Sequence, residues 1–480
     1  MEQAQADVIV IGSGATGLTA ALTAAEGGAS VIVYEKERSL GGTSNFFEGT
    51  FAAESSLQRQ RYITYTRDEA FRYIMDYSHW KANPRLVRAI VNESAVTIDW
   101  LMAHGVEFAD TTINMPNSPQ TYHIVRGKGE AIVKILSGKA REKGCLLKTA
   151  TPVKRIIKQG DKIAGVVIEE DDEDVMVRAG AVVVASGGFI NNKDWVKKYT
   201  GLELDVTLIP VGNVDKMGEG IRMAWEAGAA EEGIGTVEVY RVGPVGPEFA
   251  MGCQIEFAVT QPDLFVDADG RRFCDESIQF YDTAVGNAHA RLKGGYSFTI
   301  FDTGIVRRMV ERGVDKNVGV AYMPGARPLD LEKEMHAALD RGTTELFEAD
   351  SVEELAGKMG CEPSVLRATV DEYNDFCEKR HDDLFAKEPR YLWPIRGPKY
   401  YAGRARTVCL GSMGGVRIDE HTRAVDKNGS VIPGLYAGGF DAGGMYGDSY
   451  PINGSSGLCS AFALNSGRLA GKHILEYLGK

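Results

Sequence analysis

Two stretches of this chain carry residue types and spacings that could do chemistry. Near the C-terminal end, GGMYGDSYPINGSSGLCSAFALNSG (443–467) sets Tyr450 directly before a proline, in a turn-rich segment that runs into a small-residue helix. A phenol aimed at a helix N-terminus calls for a reason. Near the other end, DVIVIGSGATGLTAALTAAEGGASVIVYEKE holds Gly12, Gly14 and Gly17 in the spacing G-x-G-x-x-G. It sits between an apolar run ending at Ile11 and an alanine-rich helix, and a second apolar run, SVIVYE, ends at Glu35. That pattern binds a dinucleotide. The first glycine permits a tight turn, the second lets the backbone and Ala15 approach a pyrophosphate at the helix N-terminus, and the third lets helix and strand pack closely. Glu35 is placed to accept hydrogen bonds from ribose hydroxyls.

The elements that must position these residues follow from the same reading. The apolar run from Asp7 predicts a buried parallel strand. TPVKRIIKQGDKIAGVVIEEDDEDVMVRAGAVVVASGGF (151–189) predicts an antiparallel meander, then a buried strand and the turn Ser186-Gly187-Gly188. The acidic run EEDDED (169–174) predicts a hairpin turn. GSVIPGLYAGGFDAGG (429–444) predicts another strand with a Gly-rich turn bearing Asp441. A net charge of −12 argues against nucleic acid or an anionic membrane as partner. Seven dispersed cysteines without a C-x-x-C exclude the usual metal-binding spacings and fit a reducing cytoplasm. No apolar run is long enough to suggest a membrane span, and a first strand at Asp7 leaves no room for a signal peptide.

The loop after Glu35, KERSLGGTSNFFEGTFAA, adds Gly41, Gly42, Thr43 and Ser44. It resembles the loop with which two-domain flavoproteins hold FAD. In order, GSGATG, EKERSLGGTS, VVVASGGF, GEGIRMAWEAGA, DADGRRFCDES, SMGGVRID, VIPGLYAGG and the helix after 455 resemble the fumarate reductase/succinate dehydrogenase flavoprotein superfamily, which includes the 3-ketosteroid dehydrogenases. The resemblance spans nearly the whole chain. It implies an α/β fold: a discontinuous Rossmann-like FAD-binding domain (1–250 and 408–480) with an inserted α+β capping domain (251–407), the substrate lying between them. It implies FAD contacts from Gly12, Gly14, Ala15, Gly17, Glu35, Lys36, Gly41, Gly42, Thr43, Ser44, Gly49, Val153, Ala185, Ser186, Gly187, Gly439, Asp441, Ser456 and Leu458. Asp441 stands one residue beyond the place where many members hold the ribityl chain. A helix starting near Ser455 would point its N-terminus at the flavin pyrimidine carbonyl. Membrane-bound members attach FAD through a histidine in the loop after the second strand. Here no histidine precedes His79, so non-covalent FAD is expected.

Departures from the fumarate-reducing pattern narrow the substrate. Glu256-Phe257 replaces a His-Pro pair, and no arginine occurs in 254–270. Phe280 or Tyr281 stands in place of the acid arginine. Gly411 and Ser412, not histidine, precede Met413, and DSYPINGSSG replaces the segment of the clamp arginine. A buried dicarboxylate without that clamp would lose several kcal/mol of hydration per ion with little return. Tyr450-Pro451-Ile452-Asn453-Gly454 instead matches the Tyr-Pro-x-x-Gly of the ketosteroid dehydrogenases. By that resemblance Tyr450 and the Gly454 amide polarise a carbonyl oxygen, and Tyr281 is the proton donor or acceptor. A phenol near pKa 10 suits a neutral enone, and a site can lower that value. Tyr450 as a helix-loop cap and Tyr281 as a wall residue are the structural alternatives. His123 and Arg126 are weaker candidates at the flavin edge. His289 and Arg291 are expected on a solvated helix face, and Arg271 and Arg272 in structural roles.

The resulting expectation is an FAD-dependent oxidoreductase acting on a carbon–carbon bond next to a carbonyl or aryl group. Hydride would pass between flavin N5 and the β-carbon while a tyrosine handles the α-proton. The favoured substrate is a neutral ring compound of steroid or isoflavonoid/polyphenol type, with an enzyme of isoflavone reduction as a specific candidate; the electron donor is open. The alternatives are a 3-ketosteroid dehydrogenase in the oxidative direction, a reductase of a small unsaturated acid, and a non-catalytic binding protein on an FAD fold. No metal is expected.

Overall fold

Four strands with β-branched and small apolar runs build the central sheet. In the computed structural model, which describes residues 5–211, 214–246, 249, 252–317 and 323–480, they are β1 (Gln5–Ile11), β2 (Val31–Tyr34), β4 (Glu173–Val184) and β6 (Val431–Ala437). With β3 (Leu146–Lys148) and β5 (Arg423–Val425) the order is β5-β6-β4-β1-β2-β3. All pairs along it are parallel except β5 with β6. β1 starts two residues before Asp7, paired with Arg178 and Ala179 of β4.

Register does the positioning. Ile11 pairs with both Tyr34 and Val184, and Val184 pairs with Ala437. The carboxyl ends of all four strands therefore stand at one level, where ligands of open α/β sheets bind. The next residues are tied strand to strand: Gly12 N–H donates to Tyr34 O (2.8 Å), Ala185 N–H to Ile11 O (2.9 Å) and Gly438 N–H to Val184 O (3.2 Å).

Helix α1 (Ala15–Glu26) follows β1, and helix α2 (Leu458–Leu478) packs on it. Both are rich in Ala, Gly, Ser and Thr, so their backbones approach closely. The meander Val153–Gln159 and Lys162–Glu170 joins the sheet antiparallel through β4. The acidic run closes its hairpin, with Asp171 and Asp172 at φ 52° and 63°.

By contacts the chain divides into two units: residues 1–201, 212–238 and 410–480, and residues 202–211 and 239–409. The expected boundary at 250/251 falls outside the described residues. The second unit is a mostly antiparallel sheet, including Leu264–Val266, Tyr296–Asp302 and Tyr400–Ser412, with Ile209–Pro210 added in parallel and helices packed around it. Its core is apolar, from Ile255 and Leu264 through Phe298 and Ile300 to Leu366 and Val370. Beside that core Arg272 pairs with Glu276 (2.9 Å) and Asp382 (2.8 Å), and Lys387 with Glu276 (3.1 Å), all buried. Among the described residues no helix is long and apolar enough to cross a membrane.

Candidate active site

The turn after β1 needs glycine for two reasons at once. Gly12 has φ +102°, and a Cβ there would lie 2.2 Å from Ala185 O. A Cβ on Gly17 would meet Gly12 O at 2.0 Å. Between them Ser13 connects the pieces. Its N–H (2.9 Å) and hydroxyl (2.6 Å) donate to Glu35 Oε2, and its oxygen accepts the Gly41 N–H (3.0 Å). Glu35 Oε1 accepts the Glu37 N–H (3.0 Å), which leaves that oxygen a second lone pair. Gly14 is the N-cap of α1, and the Ala15 N–H donates to Ser44 Oγ (2.8 Å). Gly41 to Ser44 thus close over the start of α1.

The remaining sequence-predicted residues of this unit fall as follows. The Thr43 hydroxyl is shielded from solvent and has no hydrogen-bond partner among the described residues. A Cβ on Gly42 would meet nothing within 4 Å. Lys36 is held by Glu219 (2.8 Å) and Asp215 (2.9 Å). Val153 opens the meander just beyond Thr151, whose N–H donates to Glu35 O (2.9 Å). Gly49 starts a short strand beside Tyr122, and its carbonyl accepts the Ser460 hydroxyl (2.7 Å).

Ala185, Ser186 and Gly187 lead out of β4 and are joined to the loop after β6. The bond is Asp441, fully buried: it accepts Gly188 N–H (2.9 Å), Gly187 N–H (3.1 Å), Ser186 N–H and the Ser186 hydroxyl (3.0 Å). Burial pushes its carboxyl above the usual range, and the turn amides pull it back. Its lone pairs are spent on protein donors, so Asp441 shapes the Ser186–Gly188 turn. Gly439, at φ +58°, lies against Thr16 of α1. Ser412, in place of the family histidine, accepts the Phe189 N–H (2.9 Å).

Between Tyr446 and Leu458 the chain surfaces at Gly447–Ser449, with Asp448 exposed, while Tyr446, Tyr450, Pro451, Ile452 and Gly454 to Ser456 are buried. α2 begins at Leu458, three residues later than expected, because Gly457 sits at φ +80° as its N-cap. Ser456 turns its hydroxyl back to Ile452 O (3.0 Å). Gly454 packs against the Tyr73 ring, where a Cβ would come within 2.4 Å. Tyr450 Oη accepts the Cys459 N–H (3.3 Å), one of the free amides of the helix end. The Cys459 thiol donates to Glu238 Oε2 (3.2 Å), and the Tyr446 and Tyr450 rings meet edge to face at 5.7 Å. Burial first, and then the neighbouring Cys459 and Glu238, hold the Tyr450 phenol protonated, well above its ordinary range. The shift is upward, against the idea that a site lowers it. Glu238, Cys459 and Tyr446 had no pattern to mark them; only Cys459 and Tyr446 are even near Tyr450 in sequence.

In the second unit Tyr281 is half-buried at the junction of a short 3-10 turn, Glu276–Phe280, and the helix Asp282–Ala290. Its carbonyl accepts the Ala284 N–H (2.8 Å), and Phe280 packs on Tyr391 at 5.0 Å. His289 corrects an expectation. It is fully buried, with Nδ1 2.7 Å from Thr407 Oγ1 and Nε2 2.9 Å from Ser297 Oγ, because two hydroxyls inside the unit satisfy both ring nitrogens. Arg291 and Arg271 are exposed, and Arg272 belongs to the buried ion cluster. Glu256, where fumarate reducers carry a histidine, is buried and accepts the Gly252 N–H (2.7 Å). In the first unit His123 is tied to Ser55 Oγ (2.7 Å) and Thr121 O (2.9 Å), and Arg126 is an exposed partner of Glu107 (3.2 Å).

Residues 7–456 match the family described as FAD binding domain. The chain belongs to the FAD-binding domain family. It is similar to a vinyl phenol reductase of Lactiplantibacillus plantarum, 34% identical over 98% of this chain and 96% of that one. A fumarate reductase (cytochrome) of Shewanella frigidimarina is 28% identical over 99% of this chain and 78% of its own. The solved structure of 3-ketosteroid delta1-dehydrogenase from Sterolibacterium denitrificans shares the fold with TM-score 0.78 at 20% identity, covering 99% of this chain and 100% of that one. This member of the FAD-binding family is an FAD-dependent oxidoreductase.

Proposed function

We propose that this oxidoreductase reduces a carbon–carbon double bond conjugated to an oxygen-bearing ring, with a neutral, vinylphenol-like compound as its substrate class. FAD is held non-covalently by the loops at the carboxyl ends of β1, β2, β4 and β6. The fit rests on the unpartnered, shielded Thr43 hydroxyl, the open space at Gly42 and the spare lone pair of Glu35 Oε1. Gly12, Gly14, Ala15 and Gly17 bring the start of α1 to the pyrophosphate, Gly41 to Ser44 cover it, and Gly439, Ser456 and Leu458 complete the cradle. When bound, the flavin supplies the hydride. The protein's own part is to hold the ring oxygen and to place a proton on the neighbouring carbon; Tyr281 is the proposed source of that proton. Free cysteines throughout the described residues fit a reducing, cytoplasmic setting.

The observation that carries this reading is the Tyr450 phenol. Its oxygen is fixed by the helix-end amide of Cys459, and it is held protonated by burial. A neutral phenol pairs with a phenol or carbonyl oxygen. A dicarboxylate would bring two negative charges against a buried, neutral phenol, which is costly. The relative named for vinyl phenol reduction supports the same class.

Turnover of 4-vinylphenol and of fumarate by the FAD-loaded protein tests the reading. 4-Vinylphenol should be reduced and fumarate should not. Tyr450→Phe should lower kcat about 10²–10³-fold with flavin still bound. Preferred reduction of fumarate, or full activity in Tyr450→Phe, would overturn it.

A further inference from the structure

Tyr281 stands between two short elements, the 3-10 turn Glu276–Phe280 and the helix Asp282–Ala290. Its N–H donates to Ile278 O (2.8 Å), and its carbonyl accepts the Ala284 N–H (2.8 Å) and the Val285 N–H (3.1 Å). Elements this short do not hold a fixed direction by themselves. A buried polar network inside the second unit holds both. On the turn, Gln279 Oε1 accepts from Arg241 Nη1 (3.1 Å), and Gln279 Nε2 donates to Arg241 O (3.2 Å). That reciprocal pair fixes the orientation of the turn as well as its place. The start of the same turn is tied down at Glu276, which accepts the Phe265 N–H (3.3 Å) and belongs to the buried ion cluster. Near the far end of the helix, His289 lies 2.9 Å from Ser297 Oγ and 2.7 Å from Thr407 Oγ1.

Ser297 joins the two sides, because its oxygen also accepts from Arg241 Nε (3.0 Å). Side chains alternate along the strand Tyr296–Asp302, so Thr299 shares the face of Ser297 and accepts from Arg241 Nη2 (2.8 Å). Arg241, Gln279, His289, Ser297 and Thr299 are each at most 2% exposed. A buried network whose members are satisfied is rigid and admits one arrangement. Here its bonds end on the elements at either side of one half-buried phenol.

We propose that the Arg241–Gln279 pair and the Ser297–His289 contact form a frame that places Tyr281 for proton delivery to the substrate carbon. The inference rests on the role proposed for Tyr281 above. Arg241, Gln279, Ser297 and His289 act through Tyr281 and are positioning residues. A loosened frame lets the phenol drift, and a misplacement of about 1 Å is enough to slow a transfer by up to about 10²-fold.

The test uses the FAD-loaded protein with 4-vinylphenol. Gln279→Leu removes the reciprocal pair, and Ser297→Ala removes the joint between Arg241 and His289 by deleting one oxygen atom. Each is made in wild type and in Tyr281→Phe, with flavin absorbance and urea unfolding to check loading and fold. In the wild-type background each should lower kcat about 10-fold with KM within about 2-fold. The solvent isotope effect on kcat should rise, since a misplaced donor slows proton transfer. In the Tyr281→Phe background the same substitutions should change kcat by less than about 2-fold, because the group they place is gone. A Gln279→Leu chain that does not fold leaves Ser297→Ala to decide by the same criteria. A slow Tyr281→Phe with wild-type kcat in the frame variants, or with equal losses in both backgrounds, would overturn the frame and leave Tyr281 standing. Wild-type kcat in Tyr281→Phe would overturn the reading of Tyr281 and the frame with it.

Discussion

At the scale of single residues, Tyr450 takes the helix-cap role that the sequence presents as the alternative to catalysis, and the proposed function gives it the other role as well. It caps the helix by accepting the Cys459 N–H, and because that bond uses a lone pair its own hydrogen stays available. Tyr450→Phe therefore carries a second expected outcome besides lost turnover. The helix end loses an acceptor, and thermal stability should fall by about 1 kcal/mol, read from the shift in Tm. An unchanged Tm would mean that the 3.3 Å contact contributes nothing as a cap. The residues around it were unevenly legible. Tyr450, Gly454 and the G-x-G-x-x-G glycines announce themselves through fixed local spacing. Glu238 reaches Cys459 from 221 positions away, a contact made only by the fold, so no local pattern marks it. His289 sits on a helix of mixed polarity, and nothing in that helix tells that Thr407 and Ser297 will satisfy it inside.

At the scale of elements, the site depends on how closely α2 lies on α1. Gly467 of α2 faces Thr16 and Thr19 of α1, where a Cβ would come within 2.2 Å of Thr16 O and 2.1 Å of Thr19 Oγ1. The backbone oxygen cannot rotate away, so one methyl group must push the helices apart. Gly467→Ala should cost about 1–3 kcal/mol in urea unfolding and weaken FAD retention, since α1 carries Gly14 and Ala15. Unaltered stability would show that the two helices separate at no cost. The strands, the meander and its acidic hairpin were legible because period, length and turn chemistry agree. The start of α2 was not: serines 455 and 456 read as cap residues, but the left-handed Gly457 sets the first turn, and the serine hydroxyls turn back onto Pro451 and Ile452.

At the scale of the whole molecule, buried histidines tie stability to pH. Burial, opposed by hydrogen bonds to Thr121 and Thr50, depresses His123 from 6.5 to about 4. The folded value lies below the unfolded one, so between pH 6.5 and 4 the unfolded chain binds a proton that the fold excludes. Stability through this residue is full above pH 6.5 and falls as pH drops, by about 3 kcal/mol over that window. Asp263, pushed up to about 6 by burial, works in the opposite sense, so the comparison must be between variants. Measured by urea unfolding, wild type should lose stability relative to His123→Gln on going from pH 7 to pH 4. A difference that does not change with pH would contradict a neutral, buried His123.

In the proposed function the flavin's electrons go to a neutral, oxygen-bearing ring substrate. This is tested most directly by reducing the FAD-loaded protein anaerobically, mixing it rapidly with 4-vinylphenol, an enone steroid, fumarate or urocanate, and following the return of the oxidised flavin absorbance. Reoxidation should be fast with 4-vinylphenol, sharply slowed in Tyr450→Phe, and absent with the two acids. Fast reoxidation by fumarate with none by the ring compounds would contradict it.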